Sequence, residues 1–193
     1  GTGDEGLHRL YDGLISHILE DFKPELIINS AGQDNHFSDP LASMAVTAQG
    51  YARLADKLQA DIAVLEGGYS VESALPYVNT GIILAMAGMD YSKVLEPDMS
   101  ELRKQDPRCN KRVDQLIEQV GNLYFNREST KKELLQKCNG VWQRKKHIYY
   151  DEEGIREQQV ETIRYCNSCS GYFTIQTAAE DTRFGDQSAF IVC

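Results

Sequence analysis

The sequence lacks the features that mark exported and membrane-spanning proteins. No stretch approaches the roughly 18 to 20 consecutive apolar residues of a transmembrane helix. The first five residues, Gly-Thr-Gly-Asp-Glu, have neither the basic start nor the apolar run of a secretory signal, and there is no initiator Met. We therefore expect a cytoplasmic protein with no membrane partner, and we do not expect Gly1 to be its natural start.

Cysteine is scarce and its count is odd, so the sequence does not suggest a disulfide framework. The five cysteines are Cys109, Cys138, Cys166, Cys169 and Cys193. With no export signal, reduced thiols are expected. Internal repeats and low-complexity tracts are also lacking.

The sequence has no overall excess of positive charge, and its charge is unevenly distributed. A net charge of −9 argues against a protein whose whole surface binds nucleic acid, so a nucleic-acid partner is not expected. An acidic stretch over 1–100 is followed by a basic one over 101–147 and an acidic one over 148–193, which indicates three structural regions. We divide the chain into a region over 1–97, a basic helical segment over 98–140 and a small β-rich segment over 141–193.

The first region alternates between helical and strand-like patterns. Apolar residues recur at three- and four-residue spacing over 7–22, which predicts an amphipathic helix. Short apolar runs at 26–28 and 62–65 predict buried parallel strands. The alternation favours an α/β fold with a parallel sheet flanked by helices, whose functional groups lie in loops after the strands.

Capping residues and breaks complete the secondary-structure prediction. Thr47 is the expected N-cap of a helix over 48–58, and Ser70 of a helix that runs to about residue 87. Residues 110–138 look helical, with a break over 126–129 that divides them into two helices. Strand-like runs at 148–150, 163–165, 172–175 and 189–193 predict a small α+β carboxy-terminal appendage.

Two ordered blocks carry the strongest functional signal. The first is Ser30-Ala31-Gly32-Gln33-Asp34 with Asp39-Pro40-Leu41, Thr47 and Gly50 after it, and the second is Leu65-Glu66-Gly67-Gly68-Tyr69. Gly1-Thr2-Gly3-Asp4 precedes both. In order and spacing, over roughly residues 1–90, they resemble the histone deacetylase, acetoin-utilisation and acetylpolyamine amidohydrolase superfamily, which has an S-A-G-x-D … D-P-L … T … G block followed by L-E-G-G-Y.

The resemblance implies the carboxy-terminal part of a zinc-dependent deacetylase with an arginase-like α/β fold. Asp34 matches a metal ligand of the family, and Tyr69 matches the tyrosine whose hydroxyl stabilises the transition state. Gly32, Gly67 and Gly68 match the active-site loops. In such an enzyme a zinc ion polarises the acyl carbonyl and activates a water, and ferrous iron suits the same kind of site.

Neighbouring residues leave alternatives open. Leu41 occupies a substrate-lining position where polyamine-selective relatives can carry an acidic residue, so an acetyl-lysine or another small acyl amide is the expected substrate. Asp39 before Pro40 is interpreted as the N-cap of a helix. His36 forms a D-x-H pair with Asp34, which makes it a minority alternative as a ligand, and Glu66 is interpreted as a structural or supporting acid.

The other metal ligands and the catalytic histidines of the family have no match in this sequence. The family places its D-x-H ligands and paired general acid/base histidines ahead of the G-T-G-D segment, and His8, His17 and His147 lie in no matching context. We therefore expect the chain alone to be inactive, as a fragment, a split-gene product or one half of a two-chain enzyme whose partner is the missing amino-terminal half. The alternative is a non-catalytic interaction module. A third possibility, an arginase-like binuclear hydrolase, is disfavoured because the Gly-Gly-Tyr motif would have no role in such an enzyme.

The carboxy-terminal region carries a second candidate metal site. Cys166-Asn167-Ser168-Cys169 has the form of half a zinc ribbon, with Cys193 after a predicted hairpin and further Cys-x-x-Cys spacing expected beyond it. A thiol pair without metal is the alternative, and redox chemistry is less favoured because no helix-starting pattern follows. The basic run over 144–147, beside Trp142, is interpreted as a solvated helical face, with a nucleic-acid or acidic-partner surface as the alternative.

Overall fold

A computed structural model of the chain describes residues 1–97, 105–169, 171–185 and 187–192. The chain forms two compact units, Gly1–Tyr124 and Phe125–Cys193. The charge pattern indicates three regions instead, and that division stays a prediction. Within the described ranges, no helix is both long and apolar enough to cross a membrane.

The first unit begins with a helical stretch in three parts. Helix α1 spans Asp4–Leu10, a π-helical turn spans Tyr11–Ile15, and α2 spans Ser16–Phe22. Lys23 ends α2 in the left-handed conformation, with φ of 50° and its N–H donating to Leu19 O at 2.9 Å. Pro24 follows, and because proline disfavours helical geometry in the residue before it, the helix cannot continue. The helix predicted over 7–22 is confirmed, with a π-helical turn inside it.

Two short strands form the sheet of this unit. Strand β1 spans Ile28–Ala31 and β2 spans Ile62–Leu65, and they pair in parallel with Ile28 opposite Ile62 and Ala31 opposite Leu65. The second strand has its predicted bounds, whereas the first begins two residues after the start of the apolar run at 26–28. The mixed α/β content is confirmed, and a larger parallel sheet flanked by helices stays a prediction.

The prediction that these strands are buried is wrong for this chain. Ile28, Ile62 and Leu65 are 56%, 45% and 68% exposed, and only Ala31 of the eight strand residues is buried. Parallel sheets are almost always covered on both faces. The described residues leave the apolar side chains of β1 and β2 largely open to solvent.

The core of the first unit lies mainly between two helices that pack closely. Helix α3 spans Ala48–Leu58 as predicted, and α4 spans Leu75–Met86. A Cβ on Gly81 would lie 3.1 Å from Ala52 Cβ and 3.3 Å from Ala48 O, so glycine allows the close approach of α4 to α3. The buried residues of this core are Ala31, Val46, Ala48, Tyr51, Ala52, Ala55, Ala74, Val78, Ile82 and Ala85.

The two predicted helix caps have different outcomes. Thr47 caps α3, because its hydroxyl accepts a hydrogen bond from Gly50 N at 3.1 Å. Ser70 does not cap α4, which begins only at Leu75 with Pro76 in its first turn. The Ser70 carbonyl instead accepts from Ala74 N at 3.0 Å in a preceding turn.

Helix α5 spans Pro107–Phe125 and is joined to the first helix by polar contacts. Arg9 Nε lies 2.6 Å from Asp114 Oδ1, and Gln105, just before α5, accepts from Gly3 N at 2.6 Å. Sequence patterns gave no sign of these contacts, because each joins residues about a hundred positions apart.

The second unit is a helix followed by an antiparallel meander. Helix α6 spans Arg127–Cys138, so the predicted division into two helices is confirmed, but the break lies at Asn126 alone and residues 127–129 already belong to α6. Strands β3, β4, β5 and β6 pair in that order. They span Val141–Tyr150, Ile155–Arg164, Tyr172–Asp181 and Gln187–Val192.

The basic run over 144–147 lies on β3, so its interpretation as a helical face is wrong. Antiparallel pairing places Arg144 opposite Glu161. Because residues two apart on a strand share a face, Lys146 reaches the same carboxylate. Arg144 Nη2 and Lys146 Nζ each lie 2.5 Å from a Glu161 oxygen. Two of the four basic side chains are thus paired within the sheet.

Asp4 ties the start of the first unit to α3. Its Oδ1 accepts from Thr47 N at 2.8 Å, and its Oδ2 accepts from the Thr47 hydroxyl at 2.7 Å. A Cβ on Gly50 would collide with this carboxylate. The contact explains why the G-T-G-D segment, the threonine and the glycine occur together in the sequence pattern.

We expect Asp4→Ala to lower the free energy of unfolding by about 1–3 kcal/mol, because it leaves the amide and hydroxyl of buried Thr47 without their acceptor. Chemical denaturation followed by circular dichroism measures the change. Asp12→Ala is the matched control, since Asp12 pairs with Lys57 at 2.7 Å on the surface, where such pairs contribute less than about 1 kcal/mol. Equal losses in the two variants would contradict the role given to Asp4.

Candidate active site

Parallel pairing brings the segments after β1 and β2 to the same edge of the sheet. Gln33 N donates to Gly67 O at 2.5 Å just past the paired strands. A Cβ on Gly67 would lie 3.3 Å from Asp34 Cγ, and one on Gly32 would lie 3.1 Å from Asp34 Oδ1. The two sequence blocks therefore meet, and the Asp34 carboxylate lies between two glycines.

The Asp34 side chain has no polar partner in the described part of the chain. The residue is half-buried, and no hydrogen bond or ion pair from a described residue reaches its carboxylate. A carboxylate without protein donors keeps its oxygen lone pairs available. It can therefore accept a cation or a hydrogen-bond donor from outside these residues.

Gly68 lets the second loop pack against the first. A Cβ on Gly68 would lie 2.9 Å from Gln33 Cβ and 3.1 Å from Leu75 Cδ2, closer than side chains tolerate. Gln33 is 1% exposed, and its amide nitrogen donates to Asn79 Oδ1. The Gln33–Asn79 contact fixes the first loop against α4, and the sequence patterns did not indicate it.

Asp39 joins the loop that carries Leu41 to the loop that carries Tyr69. Its Oδ1 accepts from Leu41 N at 2.9 Å, and its Oδ2 accepts from Tyr69 N at 2.7 Å. No helix follows Pro40, so the interpretation of Asp39 as a helix N-cap is wrong. The carboxylate is structural in another way, because it fixes two backbone positions while the Leu41 and Tyr69 side chains stay 72% and 54% exposed.

His36 is not available as a metal ligand, so that minority alternative is wrong. Its ring is fully buried, with Nδ1 2.9 Å from Ser38 Oγ and Nε2 3.3 Å from Glu96 Oε1. Both ring nitrogens are therefore engaged. Glu66, in contrast, accepts from the Ser30 hydroxyl at 2.9 Å, which agrees with its interpretation as a structural acid.

Glu96 is a buried carboxylate that sequence reasoning missed. Burial raises the pKa of Glu96, but hydrogen bonds from His36 and from Ala48 N, the latter at 2.9 Å, outweigh it and bring the pKa below its usual value. The carboxylate thereby joins the His36 loop to the first turn of α3. It lies 60 positions from His36, and no local pattern marks it.

A complete set of metal ligands does not surround Asp34 within the described ranges. No group of three or more His, Cys, Asp or Glu side chains there is arranged to hold a metal ion. The structure brings Gly32, Asp34, Gly67 and Gly68 together, and Asp39 holds the backbone of Tyr69 nearby. The described residues thus supply part of a site.

The Cys166–Cys169 pair lies in the turn between β4 and β5. Cys166 Sγ is 3.2 Å from Ser168 Oγ, and Gly171 N donates to Cys169 Sγ at 3.3 Å. Hydrogen bonds from the Ser168 hydroxyl and amide, and then from the Cys169 thiol, lower the pKa of Cys166 to about 7. Cys193, predicted to lie after a hairpin, is outside the described residues.

Comparison with known proteins shows which family the first region is similar to. A family model described as "Histone deacetylase domain" matches residues 1–86. A "Probable deacetylase" of Archaeoglobus fulgidus is 51% identical over 119 residues, which covers 55% of this chain and 33% of that protein. The "Acetoin utilization protein AcuC" of Bacillus subtilis is 31% identical over 116 residues, which covers 55% of this chain and 30% of that protein.

A solved structure supports the same fold. The histone deacetylase Clr3 aligns with a TM-score of 0.53 and 15% identity over 81% of this chain and 29% of that chain. The chain spans about a third of the length of the two curated relatives. The two sequence blocks that meet at the carboxyl ends of β1 and β2 lie within the matched residues, and residues 1–86 are similar to the histone deacetylase and acetoin-utilisation superfamily.

Proposed function

We propose that the chain is part of a zinc-dependent deacetylase that hydrolyses acetyl-lysine or a related acyl amide. The observation that carries the proposal is the unpartnered Asp34 carboxylate, which lies between Gly32 and Gly67 where β1 and β2 end. A bound zinc ion would polarise the acyl carbonyl and activate a water. The name of the Archaeoglobus fulgidus relative supports a deacetylase activity over other hydrolase chemistry.

Asp34 fits the role of one metal ligand. Carboxylate oxygens suit zinc, and ferrous iron also accepts them. The Asp34 oxygens receive no described hydrogen bond, and the two flanking glycines present no side chain that would cover them. A single carboxylate holds zinc weakly, so the other ligands and the general acid/base groups are proposed to come from an amino-terminal half outside these 193 residues.

Tyr69 is proposed to donate its hydroxyl to the oxyanion that develops on the acyl oxygen. Donors that are fixed before the reaction stabilise such charge without reorganising. Asp39 fixes the Tyr69 backbone through the 2.7 Å bond to its amide, so only the side-chain torsions remain free. The exposed position of the Tyr69 side chain leaves its hydroxyl accessible to a substrate.

The exposed strands support the proposed incompleteness. Ile28, Ile62 and Leu65 present apolar side chains to solvent from a two-stranded parallel sheet. Such sheets are rarely stable without cover on both faces. Further residues of a deacetylase domain would cover these side chains and bring the missing ligands to the same edge. A non-catalytic interaction module remains the second candidate, since the described ranges hold no group of three or more potential metal ligands around Asp34.

The two aspartates of the first block should differ in their effect on stability. Asp39→Ala removes the acceptor of two loop amides and should lower the free energy of unfolding by about 1–3 kcal/mol. Asp34→Ala removes no hydrogen bond and should change it by less than about 0.5 kcal/mol. Chemical denaturation measures both, and hydrogen exchange should accelerate at the Leu41 and Tyr69 amides in the Asp39 variant alone. A large loss in the Asp34 variant would assign that carboxylate a structural role.

Activity should need the complete protein and both candidate residues. In a protein that includes the amino-terminal half, Asp34→Asn should abolish deacetylation of an acetyl-lysine peptide. Tyr69→Phe should lower kcat by about 10²–10³-fold because it removes an oxyanion donor. Tyr149→Phe, at an exposed tyrosine of the second unit, is the control and should retain activity.

Three outcomes would contradict the proposal. Chelator-sensitive deacetylase activity of the 193-residue chain alone would show that the chain does not need further residues for catalysis. Full activity after Asp34→Asn would show that Asp34 is not a ligand of the catalytic metal. A complete protein with no deacetylase activity would favour the interaction module.

Leu41 is proposed to favour acetyl-lysine over a cationic polyamine. Its side chain is 72% exposed, and Asp39 fixes its backbone in the loop facing Tyr69. In the complete protein, Leu41→Glu should shift the ratio of kcat/KM values towards acetylspermidine, since a carboxylate attracts the second ammonium group. Leu41→Gln is the matched uncharged control and should leave the ratio near that of the original protein. An equal shift in both variants would show that charge is not the cause.

A further inference from the structure

A solvent-open cleft of about 840 Å³ lies in the first unit between α1, α3 and α5. His8, Arg53 and Asp114 line it from these three helices respectively. The π-helical turn over Tyr11–Ile15 contributes Asp12 to the same cleft. Single π-helical turns inside a helix are frequent at functional sites, so this cleft is a candidate binding site.

The charged side chains of this cleft are paired, with the exception of Arg53. Each acidic side chain has a protein partner, and the pairs are Arg9–Asp114 at 2.6 Å, Lys57–Asp12 at 2.7 Å and Asn110–Glu5 at 2.5 Å. Arg53 is exposed, and no hydrogen bond or ion pair joins its guanidinium to another described residue. The charge without a partner in the cleft is therefore positive, which favours an anion over a cation as the ligand.

His8 lines the cleft with a ring whose hydrogen-bonding groups are unsatisfied. The residue is 7% exposed, and neither ring nitrogen has a hydrogen-bond partner among the described residues. A neutral imidazole carries one N–H donor and one acceptor nitrogen, and a buried polar group without a partner costs stability. An acceptor bound in the cleft would satisfy the N–H of this ring.

The charges around His8 keep its ring mainly neutral at pH 7. Burial, and then the positive charges of Lys57 and Arg53, lower the pKa of His8, while Asp4 and Asp12 act in the opposite direction. The ring therefore offers one directional N–H donor and adds no second positive charge. Arg53 supplies the charge that attracts an anion.

We propose that the cleft binds a small carboxylate, which pairs with the Arg53 guanidinium and accepts a hydrogen bond from His8. A guanidinium presents parallel N–H donors that match the two oxygens of a carboxylate. Asp12 and Asp114 line the same cleft, and their negative charges disfavour a dianion such as phosphate. Asp34 and Tyr69 do not line the cleft, so this site does not rest on the deacetylase proposal.

Titration of the full chain with sodium acetate, followed by NMR, tests the site. The resonances of the His8 ring and the Arg53 guanidinium should shift and saturate, whereas sodium chloride at the same ionic strength should give no saturating shift. Arg53→Gln should weaken the apparent affinity by about tenfold or more, because it removes a charge-assisted hydrogen bond. Arg112→Gln is the matched control, since it removes the same charge at an exposed position of the same unit outside the cleft, and it should bind acetate as the original chain does.

Protonation of His8 gives a second readout that does not depend on how a variant folds. A bound carboxylate stabilises the imidazolium, so saturating acetate should raise the pKa of His8, and acetate should bind more tightly as the pH falls. The nitrogen chemical shifts of the His8 ring in the unaltered chain measure this pKa. A response to acetate that does not saturate, an equal response to chloride, an unchanged His8 pKa or an unchanged affinity in Arg53→Gln would overturn the proposal. Inorganic phosphate that binds as tightly as acetate would overturn the carboxylate as the preferred ligand.

Discussion

The parallel register of β1 and β2, with Ala31 opposite Leu65, determines where the candidate active-site groups lie. Parallel strands end at the same edge, so the segments that leave them must share that edge. The first contact past the strands, from Gln33 N to Gly67 O, extends the pairing into the loops. One consequence is that Asp34 lies against Gly67, although the two residues are far apart in the chain. A register shifted by one residue would turn the side chains of the shifted strand to the opposite face and would separate the two loops.

Four carboxylates of the first unit differ in their hydrogen-bond partners, and this difference separates structural from available groups. Asp4 accepts from Thr47, Asp39 from two loop amides, and Glu96 from His36 and Ala48. Each replaces the solvent it loses with protein donors, so removing it would leave buried donors unsatisfied. Asp34 alone among the four has no described donor. Hydrogen bonding, more than position in the motif, distinguishes the candidate ligand from its neighbours.

Local signals in the sequence predicted local features well. The N-cap Thr47 and the strand over 62–65 depend on residues within a few positions, and both were found with the right bounds. Ser70 and Asp39 were misassigned because each looks like a helix cap locally, whereas the Ser70 hydroxyl lies 2.8 Å from the distant Ser38 Oγ and the Asp39 carboxylate accepts from loop amides. The Asp39 carboxylate binds Tyr69 N, thirty positions away. Glu96 and Gln33 were missed for the same reason, since a buried polar contact leaves no periodic trace in the sequence.

The exposure of strands β1 and β2 and the absence of a described partner for Asp34 have a common physical explanation. Apolar side chains such as Ile28, Ile62 and Leu65 would each gain about 1.5–3 kcal/mol from full burial, and the described chain realises only part of this. The pattern of these strands therefore suits a sheet with more cover than the described residues provide. The unpartnered Asp34 lies just past the same strands. A segment that packed on the sheet could supply both the apolar cover and the missing ligands, so stability and activity would be gained in one association.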